Sequence, residues 1–346
     1  MKLITTTGYY GTGSSAITDL LQEYSTVTSL GSSFECRIAH DMYGLSDLEY
    51  YLVDNYHRHN SSTALNNFKR LMGIYGLDKG IRLENYPEIF GENFEIAVQQ
   101  YIKALAPMSY KGGSHTDLYA MSDLKIKYIK IANRFFNKIH KSYFSVDDDS
   151  YKNHRKPPID KSIENITSYI SYPREYFYDV TREFTRNLFS AFITDDDKYI
   201  MVDQLIPPTN TQRYIKYFDD VKVICVDRDP RDIYYLEKYF WRGCIVPTEV
   251  NEFIAWYKAT RSHKKFERDD HKKVLRINFE NLVLDYERTV SKIERFLELN
   301  PESHINPRIS FDPEISKNNI GKWKDDPKEK NNIQKIESEL FGEYYE

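Results

Sequence analysis

The chain opens on a short apolar, β-branched run at residues 2–6, which reads as a buried strand. Glycines and small residues follow at once. From Ala16 to Leu21 the spacing turns helical, completing a strand–loop–helix unit. A second short strand is predicted at residues 26–30, running into Gly31-Ser32-Ser33-Phe34-Glu35. From residue 45 to residue 186 the spacing is mostly helical, as at Leu48, Tyr51 and Leu52 and along residues 94–105. Turn signals interrupt it at Pro107 and at Lys111-Gly112-Gly113-Ser114. Residues 147–158 are polar, acidic and then proline-bearing, which predicts an exposed loop. Strand patterns return at residues 199–202, 221–226 and 274–279, with helical spacing between them. This alternation predicts an α/β fold with a parallel sheet and right-handed crossovers. We expect one domain over residues 1–346, carrying a helical insertion at about 45–190. The last twenty residues are charged and predict a solvated terminal helix.

Composition narrows the function classes. The chain has 346 residues, 40% hydrophobic and 29% charged, which is ordinary for a folded protein. A net charge of −4 argues against a generic nucleic-acid binder but not against a small anionic ligand, which local arginines can hold. Three scattered cysteines, Cys36, Cys225 and Cys244, form neither a disulfide framework nor a zinc cluster. Reduced thiols and the lack of a targeting segment or membrane span predict a cytoplasmic protein. No metal is expected.

Gly8-Tyr9-Tyr10-Gly11-Thr12-Gly13-Ser14-Ser15 lies between the first strand and the first helix. Glycines let successive backbone N–H groups converge on an anion, and the serines can donate hydroxyls to phosphate oxygens or cap the helix. A glycine-rich turn with no ligand fits the same residues. The loop departs from a Walker A sequence, because Ser14 occupies the place of the lysine that binds the β- and γ-phosphates. That disfavours a kinase or nucleoside-triphosphate hydrolase and favours a nucleotide without a triphosphate.

The strand at residues 221–226 runs straight into Asp227-Arg228-Asp229-Pro230-Arg231-Asp232, placing a guanidinium at the carboxyl edge of the sheet. Ligands of open α/β folds bind at that edge, and arginine captures phosphate bidentately. A surface pair of Arg228 with Asp232 is the alternative. This strand-Arg-x-Pro-Arg-Asp segment resembles the 3′-phosphate motif of the PAPS-dependent sulfotransferases, and residues 8–15 look like their 5′-phosphosulfate loop. Residues 274–282, with Glu280-Asn281-Leu282, resemble a further strand segment of that family. The helical pattern at residues 286–299 resembles the element after it, and residues 317–324 are similar to its late glycine–lysine loop. The segments occur in the family's order between residues 3 and 324, whereas residues 45–190 show no resemblance. Three places depart: Gly11 replaces a loop lysine, Leu236 replaces a serine, and the late loop begins Ser316-Lys317-Asn318.

The resemblance implies a three-layer αβα, P-loop NTPase-like fold with the helical insertion. It also implies sulfuryl transfer from PAPS to a hydroxyl of a carbohydrate or similar acceptor by in-line displacement. On that reading the amides of Gly11, Thr12, Gly13 and Ser14 and the hydroxyls of Ser14 and Ser15 hold the 5′-phosphosulfate. Arg228 and Lys317 hold the 3′-phosphate, and Trp323 lies against the adenine. The general base is expected to be Glu35, beside Arg37, or Asp203 at a strand end with Gln204 and Asn210 nearby. His40 and His115 are weaker candidates. The alternatives are a kinase-like P-loop protein or a nucleotide-binding homologue weakened by Gly11.

Overall fold

The computed structural model describes residues 2–114, 117–118, 121–140, 158–192, 198–342 and 345. The chain forms two compact units, Met1–Asp41 with Thr181–Glu346, and Met42–Val180. Seven strands occur among the described residues: β1 (Lys2–Gly8), β2 (Val27–Ser29), β3 (Met108–Lys111), β4 (Thr167–Ile170), β5 (Tyr199–Asp203), β6 (Val221–Asp227) and β7 (Val274–Asn278).

The first unit holds a five-stranded sheet in the order β2-β5-β1-β6-β7, parallel throughout. Its strands are apolar and β-branched because both faces are covered, as parallel sheets require. Ile4, Met201, Ile224, Val226 and Ile277 pack on one side with Ile17, Leu20 and Leu21 of the helix Ser15–Leu21. Leu282 and the face Val290, Ile293 and Leu297 of the helix Tyr286–Leu297 complete that layer. Val223 and Cys225 are buried on the opposite side of β6. Each fully buried Leu or Ile contributes roughly 1.5–3 kcal/mol of transfer free energy. The chain leaves β1 toward β2 and β5 on one side, then crosses to β6 and β7 on the other. Strand order therefore reverses at β1, and the crevice above its carboxyl end is where such sheets bind ligands.

Register brings the chemistry-bearing ends together. Thr6 pairs with Asp203 across β1 and β5, and Gly8 pairs with Val226 across β1 and β6. The helix Lys330–Leu340 departs from the solvated terminal helix expected: Ile333, Ile336 and Leu340 recur on one face and are buried with Ile233, Tyr234, Phe253 and Tyr257.

The second unit is largely helical, as the spacing predicts, and its core is aromatic: Phe68, Tyr86, Phe90, Phe94 and Tyr101 are buried, and Tyr75 stacks on Tyr86 at 4.0 Å. It also contains an antiparallel ribbon, β3 with β4, pairing Met108 with Ile170. Four-residue strands with β3 exposed along its length carry no alternation to read, so only the glycines at 112 and 113 marked a turn there. The acidic stretch at 147–157 lies outside the described residues, and Pro158 begins the helix Pro158–Glu164.

Candidate active site

The turn after β1 is built by backbone conformations that few residues tolerate. Tyr10, Gly11 and Gly13 have φ of 65°, 69° and 81°. At Gly13 a Cβ would lie 2.7 Å from the Phe279 ring, and at Gly8 it would lie 2.0 Å from the Thr12 hydroxyl. Space therefore requires glycine at positions 8 and 13, and at 13 the backbone φ requires it as well. Successive residues of this kind present their N–H groups to a common concavity, a nest for an anion. The Ser14 hydroxyl does not cap the helix that follows; it accepts a hydrogen bond from Gln204 Nε2 at 3.1 Å, facing the loop instead.

Beside this turn β5 ends on Asp203. Its buried carboxylate accepts a hydrogen bond from Thr6 Oγ1 at 2.7 Å, and Thr6 in turn contacts the Thr18 hydroxyl. Burial pushes the Asp203 carboxyl up to about 6, reinforced by the negative charge of Glu35 and opposed by the Thr6 hydrogen bond. Glu35 lies alongside Asp203 through a backbone bridge, and its own carboxylate receives Arg37 Nη1 at 3.0 Å. Gln204, with φ of 55°, accepts from Thr7 Oγ1 and offers its carbonyl to His40. Burial lowers the pKa of His40, so its imidazole favours the neutral form.

These groups open onto one cavity of about 1080 Å³, entirely within the first unit. Its lining includes Gly11, Thr12, Gly13, Ser14 and Ser15 from the turn, and Glu35 and Asp203 from the neighbouring strand ends. The volume is at the upper end of the usual range for small-molecule sites and suits a nucleotide together with part of an acceptor. Among the lining residues Arg37 supplies the one lysine or arginine.

The other predicted residues are placed differently. Arg228 is 2% exposed and does not line the cavity. Its guanidinium lies 4.4 Å over the Phe279 ring and 5.7 Å from that of Trp241, and Nη2 donates to the Asn319 carbonyl at 2.7 Å. Nε has no partner, and burial lowers the pKa of the group. Phe279 is the ring that confines Gly13, and Trp241 is the ring that a Cβ on Gly11 would meet at 3.0 Å. A single aromatic layer thus separates Arg228 from the glycine turn. Asp232 faces the late loop and accepts from Gly321 N at 2.7 Å. The Lys317 side chain is 59% exposed, with Glu314 at 3.9 Å. Trp323 lies under the Arg231 guanidinium at 4.5 Å and packs against the cluster around Ile333. His115 lies outside the described residues.

Sequence reasoning passed over several groups that shape the site. Trp241 ends the aromatic run Tyr239-Phe240-Trp241, and the left-handed Arg242 follows it. His263 and Glu267, four apart, are joined at 2.8 Å, and His263 stacks on Tyr9 at 5.7 Å. Their spacing was a usable signal. Behind Tyr9, burial pushes the Asp227 carboxyl up, but Arg261 Nη2 at 2.9 Å and Lys264 Nζ at 2.7 Å outweigh it and hold the pKa below its ordinary value.

Comparison with known families gives a match to the model described as "Sulfotransferase family" over residues 134–303. No curated protein matches the chain. Among solved structures, the chain is similar to the sulfotransferase domain of the Synechococcus PCC 7002 olefin synthase. That alignment has 12% identity, covers 98% of this chain and 94% of the other, and has a TM-score of 0.43. It is also similar to the sulfotransferase domain from the curacin biosynthetic pathway, at 14% identity, 100% and 98% coverage, and a TM-score of 0.39. The Mycobacterium tuberculosis H37Rv sulfotransferase STF1 aligns at 14% identity, covering 92% of this chain and 76% of its own, with a TM-score of 0.33.

Proposed function

We propose, from the match of residues 134–303 to the sulfotransferase family model, that this chain transfers the sulfuryl group of PAPS to a hydroxyl of a carbohydrate or similar acceptor. The observation that carries the reading is the glycine turn. Its left-handed residues form an anion nest beside a strand-end carboxylate, at the point where strand order reverses. In the reaction the acceptor oxygen forms a bond to sulfur while the bond from sulfur to the 5′-phosphate oxygen breaks, and the acceptor proton leaves to a base. Alignment and stabilisation of the leaving phosphate supply the catalysis. The amides of residues 11–14 and the hydroxyls of Ser14 and Ser15 hold the phosphosulfate. Asp203 takes the proton: raised to about 6, it is ionised at neutral pH yet basic enough to accept it. Glu35 stands beside it as the second carboxylate.

Arg228 is the 3′-phosphate ligand in this reading. It must first release the Asn319 carbonyl and gain access past Trp241, and its unpartnered Nε is a buried donor that an anion would satisfy. Lys317 joins it from the late loop, and Trp323 takes the adenine side. No disulfide joins Cys36, Cys225 or Cys244 among the described residues. Among the described residues no helix is long and apolar enough to cross a membrane.

A second reading, donor binding without turnover, is favoured by one observation. Gly11 stands where the family's lysine is expected, and the indole of Trp241 fills the space beside it. Two measurements separate the possibilities. At ~100-fold saturation, 3′,5′-adenosine bisphosphate should stabilise the protein by about 2.7 kcal/mol, and ATP with magnesium should not. Stabilisation by ATP alone would remove the donor assignment. Labelled-sulfate transfer to a glycan panel should then yield product; tight bisphosphate binding with no product from any acceptor would leave the second reading.

A further inference from the structure

The helix Asp123–His140 of the second unit has two apolar faces. One serves the fold: Ile129 is buried, and Asn133 Oδ1 accepts from Ile159 N at 3.4 Å, tying the helix to Pro158–Glu164. On the opposite side Leu124, Tyr128, Ile131 and Phe135 are 79%, 72%, 53% and 64% exposed. Their spacing of i, i+4, i+7 and i+11 lines them in one stripe about 16 Å long. Exposed apolar side chains scattered singly are ordinary, but four in register on one helix mark a surface that something covers.

The charges beside the stripe identify what that is. Lys127, Arg134 and Lys138 lie three or four positions from its members, with Lys130 next to them, so the four cations run along one flank. All four are exposed, and none is in an ion pair among the described residues. The whole helix carries five lysines and arginines against one aspartate, on a chain whose net charge is −4. A helix held by its own unit on one side presents its other face outward, where it can lie on a flat surface. A narrow apolar stripe flanked by unpaired cations matches an anionic bilayer, whose acyl boundary takes the apolar side chains while its phosphates meet the lysines.

We infer that this helix is a membrane-surface anchor that binds anionic lipid peripherally, without spanning the bilayer. The test is co-sedimentation of the full chain with vesicles of equal phosphatidylglycerol and phosphatidylcholine, against phosphatidylcholine alone. The wild type should bind the anionic vesicles at least tenfold more tightly and lose binding in 0.5 M salt, about the concentration that screens surface charges. Two variants separate the contributions. L124S/F135S should lower partitioning at least tenfold by removing the inserted surface. K127E/R134E should lower it by more than about 25-fold, at about fivefold for each cation lost. Circular dichroism and melting of both variants show that the fold is kept, since every substituted residue is exposed. Equal binding to both vesicles, no binding by the wild type, or unchanged binding by either variant overturns the inference. So does a wild-type dimer in light scattering that L124S/F135S converts to a monomer, which would assign the stripe to a second copy of the chain.

Discussion

The carboxyl ends of β1 and β6 are adjacent strand ends on one sheet edge, yet one is open and the other sealed. After β1 the glycine turn lines the cavity, and beside it Asp203 lines it too. After β6 Arg228, proposed above to meet the same ligand, is buried behind Phe279 and Trp241, its Nη2 on a backbone carbonyl of the late loop. An anion nest made of backbone can stay open, because its N–H groups are held by φ and not by partners. A guanidinium in a low-dielectric place cannot be left alone, so it takes the nearest ring faces and carbonyl. Under the proposed function, the donor's 5′ end meets a preformed site and its 3′ end one that the ligand must open.

The largest effect should come from the open side. Asp203→Asn should lower kcat by ~10²–10⁴ while leaving bisphosphate affinity unchanged. In the wild type kcat should fall as the pH drops through about 6, because the carboxylate must be ionised. Stability runs the opposite way. With its folded pKa raised to about 6 from the ordinary 3.8, Asp203 favours the fold more below that window, and stability declines as pH rises from about 4 to 6. Melting curves of the asparagine variant should lack that decline. A pH profile with no break near 6 and an active Asp203→Asn would move the base to Glu35.

Next is Gly13→Ala, which puts a Cβ against Phe279 at φ of +81°. Its bisphosphate affinity should fall by about 5- to 150-fold, the equivalent of the ~1–3 kcal/mol such strain costs. Calorimetry that finds unchanged affinity would show that this turn is not the phosphate site. Arg228→Ala should weaken bisphosphate binding by about 1.5–3 kcal/mol, the range for hydrogen bonds to charged groups. If affinity is unchanged, the guanidinium is a structural group of the aromatic layer and the comparison of the two strand ends loses its functional meaning. The smallest effect should be that of Trp241→Ala, which uncovers Arg228 and should tighten binding by about fivefold, by raising the fraction of molecules ready to bind. Weaker binding would instead place the indole on the nucleotide.

Much of the frame was legible in the sequence because local signals sufficed. Buried parallel strands need continuous apolar runs, so β1, β5, β6 and β7 stood out. The glycines at 8, 11 and 13 announced a turn that only glycine fits, and the order of the segments along the chain pointed to the family. The antiparallel ribbon in the second unit was not legible, since its strands are too short and too exposed to carry a pattern.

What the chain alone determined is the kind of residue delivered to each strand end: amides and hydroxyls after β1, a carboxylate after β5, a guanidinium after β6. Only the tertiary structure decided which of these face the cavity. Strand register places Asp203 against Thr6, and burial there, not residue type, sets its proton affinity. The side chains of Trp241 and Phe279, brought from distant segments, close over Arg228. Accessibility and charge state depend on neighbours far along the chain, and no local pattern records them.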